Sequence, residues 1–217
     1  MRPLDDAHRT GTGALLIDLD GTLVDSSGAH QLAFEQALSD CGLAPSIDYS
    51  RIAGMSSPDA ARRLGVADSS VADFVAAKRS HYLAAVANND VVAIGGASEL
   101  VSTAREFGWR LALVTSASRR SVQSLTAKLR WLSDFEVIIS GDDVAKSKPS
   151  PDGYLQAMTG LSVRRESCVG IEDSAAGVAA LEAAEVAAIR VAEDPDRTGA
   201  DLNKIVDELR RLGRLGG

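Results

Sequence analysis

The chain has 217 residues, 45% hydrophobic and 24% charged, enough to bury one large core or a core with a smaller unit inserted. A formal net charge of −7 argues against nucleic acid as a partner, because phosphate-backbone binding needs a basic stripe. No apolar stretch approaches the roughly 18 residues of a membrane span, Cys41 and Cys168 read as reduced thiols, and His8, His30 and His81 lack zinc-ligand spacing. A cytoplasmic protein with no membrane association is expected, and a monomer is compatible with the sequence.

Residues 1–13, closing on Gly11-Thr12-Gly13, read as a mobile leader. The apolar run 14–17 then enters Asp18-Leu19-Asp20-Gly21-Thr22. Four apolar residues bounded by polar ones suit a buried parallel strand, and carboxylates spaced i, i+2 at its carboxyl end can both face the ligand crevice of an open α/β sheet. From Val24 to about Gly95 helical spacing takes over. Ala29, Leu32, Ala33 and Ala37 share one face, Gly42 is a stop signal, Ser57-Pro58-Asp59 starts another helix, and Val71, Phe74, Val75, Tyr82, Ala85 and Val86 mark a third.

Beyond Gly95 short apolar runs at 111–114, 135–139, 168–171 and 186–191 alternate with helical segments at 97–107, 119–129, 151–158 and 175–184. Ser150 is expected to cap the third of these, with Pro151 in its first turn. Alternating strand and helix predicts an α/β fold with a doubly wound parallel sheet. The core is expected from residues 14–25 and 96–217, with an all-helical cap inserted at 26–95 and hinges near 25–27 and 94–96.

Three further clusters fall at predicted strand ends. Thr115-Ser116-Ala117-Ser118 offers hydroxyls and N–H groups at a helix start, which is either a cap or a phosphate cradle. Pro149 and Pro151 stiffen the segment carrying Lys146 and Lys148, so that Lys148 is held in place. Glu172 and Asp173 precede an Ala-rich helix; they can serve its dipole or complete an oxygen-ligand site for Mg²⁺ with Asp18 and Asp20.

Asp-Leu-Asp-Gly-Thr, the Ser116 region, Lys148 and Glu172-Asp173 together resemble the four motifs of the haloacid-dehalogenase-like (HAD) phosphohydrolases. The wording Asp-Leu-Asp-Gly-Thr-Leu-Val-Asp, Ser-Ala-Ser, Ser-Lys-Pro-x-Pro-Asp and Gly-Ile-Glu-Asp-Ser, with a cap after the first motif, is similar to the β-phosphoglucomutase and sugar-phosphatase branch. The resemblance implies a Rossmann-like core and Mg²⁺-dependent hydrolysis of a small phosphate ester, a sugar or polyol phosphate. It implies Asp18 as nucleophile, Asp20 as acid and base, and Ser116 and Lys148 on the transferring phosphoryl group, with Thr115 competing for the role of Ser116. Metal ligation falls to the Asp18 carboxylate, the Asp20 carbonyl, Asp173 and, through a water, Glu172. Thr22, Ala117 and Ser118 would contact substrate from the core, and His30 and Lys78 from the hinge and cap.

A dehalogenase would lack the second acid, Asp20. A phosphomutase of this branch carries an arginine shortly after a Gly-Val-Ser-type turn; here Gly54-Met55-Ser56 fits the turn and Ser57 stands at the arginine position. A serine cannot form a bidentate phosphate clamp, which favours hydrolysis over phosphoryl return. A phosphomutase and a HAD-fold binding protein without activity are the alternatives.

Overall fold

The computed structural model describes residues 2–9, 13–192 and 199–215. In chain order its elements are α1 (Arg2–Arg9), β1 (Ala14–Ile17), β2 (Val24–Asp25), α2 (Ser27–Asp40), α3 (Ser57–Arg63), α4 (Val71–Ala87) and β3 (Val92–Ala93). There follow α5 (Ala97–Glu106), β4 (Arg110–Val114), α6 (Arg119–Lys128), β5 (Val137–Ile139) and α7 (Asp152–Leu161). The chain closes with β6 (Cys168–Glu172), α8 (Ala175–Ala183), β7 (Ala187–Arg190) and α9 (Ala200–Leu215).

Strands β5-β4-β1-β6-β7 lie side by side in that order, all parallel. The order reverses at β1, which makes the carboxyl end of β1 the switch point where open α/β sheets bind ligands. Because side chains alternate across a strand, each run feeds two cores. Leu15, Ile17, Leu113 and Ile171 pack on one face with Leu100 of α5 and Val206 of α9. Leu16, Ala112 and Val114 pack on the other with Tyr154 of α7 and Leu181 of α8. All four residues of β1 are buried, which explains its unbroken apolar sequence.

The helical cap is inserted after β1. Its small core joins Phe34 and Leu38 of α2, Ile52, Ala61 of α3 and Phe74 of α4. Its two connections form an antiparallel ribbon, with Val24 opposite Ala93 and Asp25 opposite Val92. The hinge-side halves of α2 and α4 are shared with the main core, where Ala33, Tyr82 and Val86 are buried. Lys128, ending α6, donates to the carbonyls of Val86 and Ala87 (3.0 Å to the latter) and to Asn89 Oδ1 at 2.6 Å. A cation there suits the negative end of the α4 dipole.

Two expectations are corrected. Residues 2–9 are not a loose leader but a helix, whose Leu4 and Ala7 are buried in the main core; Gly11 and Thr12 lie outside the described residues. Ser150 does not cap α7. The helix starts at Asp152, and the Ser150 hydroxyl donates instead to Asp152 Oδ1 at 2.7 Å. No described helix is long and apolar enough to cross a membrane.

Candidate active site

Parallel pairing places the ends of β1, β4 and β6 at one sheet edge: Ile17 lies beside Leu113 and Ile171, so Asp18, Thr115 and Glu172-Asp173 emerge together. Gly21 turns the chain back at φ +84°, and an added Cβ there would collide with the Asp173 carboxylate. The helix that follows β6 is capped by Ser174, which accepts from Gly177 N–H at 3.0 Å.

At the centre, Lys148 Nζ donates to Asp18 Oδ1 and Glu172 Oε1, both at 2.5 Å, and to the Val114 carbonyl at 3.0 Å. Glu172 is fully buried and also accepts from Tyr154 OH at 2.9 Å, and from the Ser174 N–H and hydroxyl at 3.1 and 3.0 Å. Asp18, Glu172 and Asp173 each offer an oxygen within 4.8 Å of the others. Three carboxylates against one ammonium leave negative charge uncompensated, and the acids register it. Burial, then the charge on Glu172, raises Asp18 well above the usual carboxylate range, although Lys148 opposes this. Burial and Glu172 likewise push Asp173 up to about 6, with Thr22 opposing. Burial alone would lower Lys148, but Asp18 and Glu172 outweigh it and hold the amine protonated, well above its usual value. An all-oxygen donor set with surplus negative charge fits a hard divalent cation.

Asp20 has a separate environment. Its Oδ1 accepts from Ser26 Oγ at 2.7 Å, lies 3.0 Å from His30 Nε2 and takes a longer contact from Tyr82 OH at 3.4 Å; Oδ2 accepts from Thr115 Oγ1 at 3.2 Å. Burial works against the charged form of Asp20, but His30, Ser26 and Lys78 prevail and hold its carboxyl well below the usual range. Lys78 Nζ reaches His30 Nδ1 at 2.8 Å and lies over the rings of Phe34 and Tyr82. Burial lowers Lys78 to about 8 against the pull of Asp20. Burial and the Lys78 charge lower His30 as well, Asp20 opposing.

The site faces a cleft of about 670 Å³ between core and cap. Of the residues expected at the site, Asp18, Asp20, His30, Lys78, Ser116, Ala117, Ser118 and Lys148 line it. Thr22 does not. It is 1% exposed, and its hydroxyl donates to Asp173 Oδ1 at 3.1 Å, so it orients an acid and is not available to substrate. Three cradle groups have partners of their own. Ser118 Oγ caps α6 by accepting from Ser121 N–H at 3.2 Å, Ala117 N–H donates to Thr115 Oγ1 at 3.0 Å, and Ser116 Oγ donates to the cap carbonyl of Gly54 at 2.8 Å. A second bond between core and cap runs from Ser147 Oγ to Asp59 Oδ2 at 2.7 Å. Sequence reasoning missed Ser26, Tyr82, Tyr154 and the Ser147–Asp59 bond. Only the place of Ser147 beside Lys148 hinted at any of them.

Residues 15–191 match the haloacid dehalogenase-like hydrolase family, a span that holds all five main strands but for Ala14 at the start of β1. The chain belongs to that family. The HAD assignment agrees with curated relatives: it is 36% identical over 184 residues to protein CbbY of Rhodobacter capsulatus, covering 79% of this chain and 81% of the relative. It is 35% identical over 164 residues to hexitol phosphatase A of Escherichia coli K12, covering 75% of each. Among solved structures, CbbY from Rhodobacter sphaeroides in complex with xylulose-(1,5)-bisphosphate superposes with a TM-score of 0.76 at 29% identity, covering 83% of this chain and 86% of that one.

Proposed function

We propose that this HAD protein is a Mg²⁺-dependent phosphatase that hydrolyses a sugar or polyol phosphate through an aspartyl-phosphate on Asp18. The observation that carries this is the division of labour between the two acids at β1's exit, Asp18 buried and Asp20 partly buried. Asp18 shares Lys148 with Glu172, whereas Asp20 sits 3.0 Å from His30 in a separate hydrogen-bond network. Both the family membership and the phosphatases among the relatives support the reading.

Asp18, Asp173 and the Asp20 carbonyl, with Glu172 acting through a water, are the groups that would hold the cation. Bound there, it would offset charge on the phosphate oxygens and lower the repulsion an incoming carboxylate meets. Lys148, held by two carboxylates and a carbonyl, neutralises charge on the transferring group, and Ser116, with nearby N–H groups, receives its equatorial oxygens. Asp18 attacks phosphorus, and Asp20 gives a proton to the departing alkoxide. The ionised resting state of Asp20 then suits the second displacement, in which it takes a proton from water. For the first it must enter protonated, and His30 and Lys78 are the neighbouring groups able to supply that proton. The segments 14–25 and 96–217 act as the catalytic core, and 26–95 as the cap that excludes water and reads the leaving group. The two free cysteines accord with a cytoplasmic setting.

The test is phosphate release from sorbitol 6-phosphate, xylulose 5-phosphate, 2-phosphoglycolate and β-glucose 1-phosphate, with Mg²⁺ or EDTA. Release should need the metal and fall at least ~10³-fold in Asp18→Asn. Activity that survives either change would refute the assignment. Glucose 6-phosphate forming faster than free phosphate, with a trace of the 1,6-bisphosphate present, would make the protein a mutase.

A further inference from the structure

Tyr49 opens the short 3-10 turn Tyr49–Arg51 that joins the first cap helix to the second. It lines the cleft together with Phe34, Ile52, Met55 and Val75. Its ring runs parallel to that of His30, with 6° between the planes and 6.4 Å between centroids, and is tilted against Phe34 at the same separation. His30 is the ring that contacts Asp20, so Tyr49 neighbours the ring that holds the acid assigned to the leaving group.

The polar groups around that acid are satisfied: Ser26, His30, Tyr82 and Thr115 all bond to Asp20. Tyr49 is different. Among the described residues its hydroxyl has no hydrogen-bond partner, and no described side-chain N or O is both buried and unpartnered. The hydroxyl is therefore solvent-accessible, on a residue that lines the cleft. Burial, then the charges of Asp20, Asp173 and Asp18, raises the phenol well above its usual value, so it remains protonated and can donate.

The geometry points to Tyr49 as a specificity-determining residue, whose hydroxyl donates to a hydroxyl or ether oxygen of a neutral, polyhydroxylated leaving group while Phe34, Ile52, Met55 and Val75 receive its C–H face. This deepens the phosphatase reading and rests on it. A phenol supplies direction without charge, which suits an uncharged sugar or polyol better than a second phosphate or a carboxylate. A site built to bond one oxygen discriminates against ligands that lack it, because its own donor is then left unmade.

Tyr49→Phe removes that oxygen and leaves the ring. Two esters separate the roles: p-nitrophenyl phosphate, whose leaving group carries no hydroxyl, and whichever sugar or polyol phosphate of the panel the unaltered protein turns over fastest. With the natural-type ester kcat/KM should fall roughly 10-fold, the size of one neutral hydrogen bond lost in a closed pocket. With p-nitrophenyl phosphate it should stay within about 2-fold, at an unchanged melting temperature. An unchanged kcat/KM on the sugar or polyol ester overturns the inference, and so does an equal loss on both esters. A native protein inert toward every ester overturns the phosphatase reading and this one with it, whereas a native protein that works and a Tyr49→Phe variant that matches it overturns this one alone.

Discussion

Lys148→Met keeps the length of the side chain and deletes its charge. In the native site that ammonium lies 2.5 Å from both Asp18 Oδ1 and Glu172 Oε1, with Lys148 7%, Asp18 6% and Glu172 0% exposed. The variant leaves two buried carboxylates facing each other with no cation between them. Removing one partner of a buried ion pair costs about 3–5 kcal/mol. The lower end applies here, because the Asp18 carboxyl is already raised and can shed its charge by binding a proton. At about 2–4 °C per kcal/mol for a chain of this size, the melting temperature in EDTA at pH 7.5 should drop by roughly 6–12 °C. The sign with pH follows from linkage. Asp18 and Asp173 have raised folded-state values, so they bind more protons folded than unfolded, and stability is lost as pH rises through those values. Losing Lys148 enlarges that shift, so the gap between variant and native protein should narrow as pH falls from 7.5 towards 5. Millimolar Mg²⁺ should also narrow it, since it offsets the same carboxylates. Circular-dichroism melts at both pH values, with EDTA or Mg²⁺, measure all three effects. A variant melting within about 2 °C of the native protein in EDTA at pH 7.5 would refute the reasoning.

Two further outcomes are expected. Asp173, raised to about 6 by burial and Glu172, must lose its proton to hold a cation, so the apparent affinity for Mg²⁺ should weaken below pH 6 and be flat above about 7. Activity titrated with Mg²⁺ across pH 5–8 tests this, and a pH-independent metal constant would contradict it. Ser147→Ala and Asp59→Ala each break the 2.7 Å bond between the Lys148 segment and the cap. Each should lower kcat/KM several-fold, and the double variant should lose no more than the worse single one; fully additive losses would show that the bond does not act in closure.

The central strands β1, β4 and β6 were legible because burial on both faces leaves a strand no polar residue to spend, and each of these runs ends in a turn carrying chemistry. β1 and β6 are the clearest cases, buried from end to end. Asp18, Lys148, Glu172 and Asp173 followed from strand ends meeting at one edge. The second network did not. Tyr82 and Lys78 reach Asp20 and His30 from α4, and which face of a cap helix meets the core depends on how the cap docks. Thr22 was misread because hydroxyl direction after a glycine turn is a matter of one φ angle, here +84° at Gly21. Helix α1 was missed because, among its described side chains, Leu4 and Ala7 alone are buried in the core, too few for a periodic signal.

The ribbon at the base of the cap has an evolutionary meaning. Val24 is paired with Ala93 and Asp25 with Val92, so the inserted segment leaves and returns at adjacent backbone positions. A two-residue turn spans such a gap, so helices between those points can be lengthened, shortened or exchanged without moving the end of β1 or its acids. One hydrolytic centre can in this way be inherited intact while the chamber above it is rebuilt for each new ester.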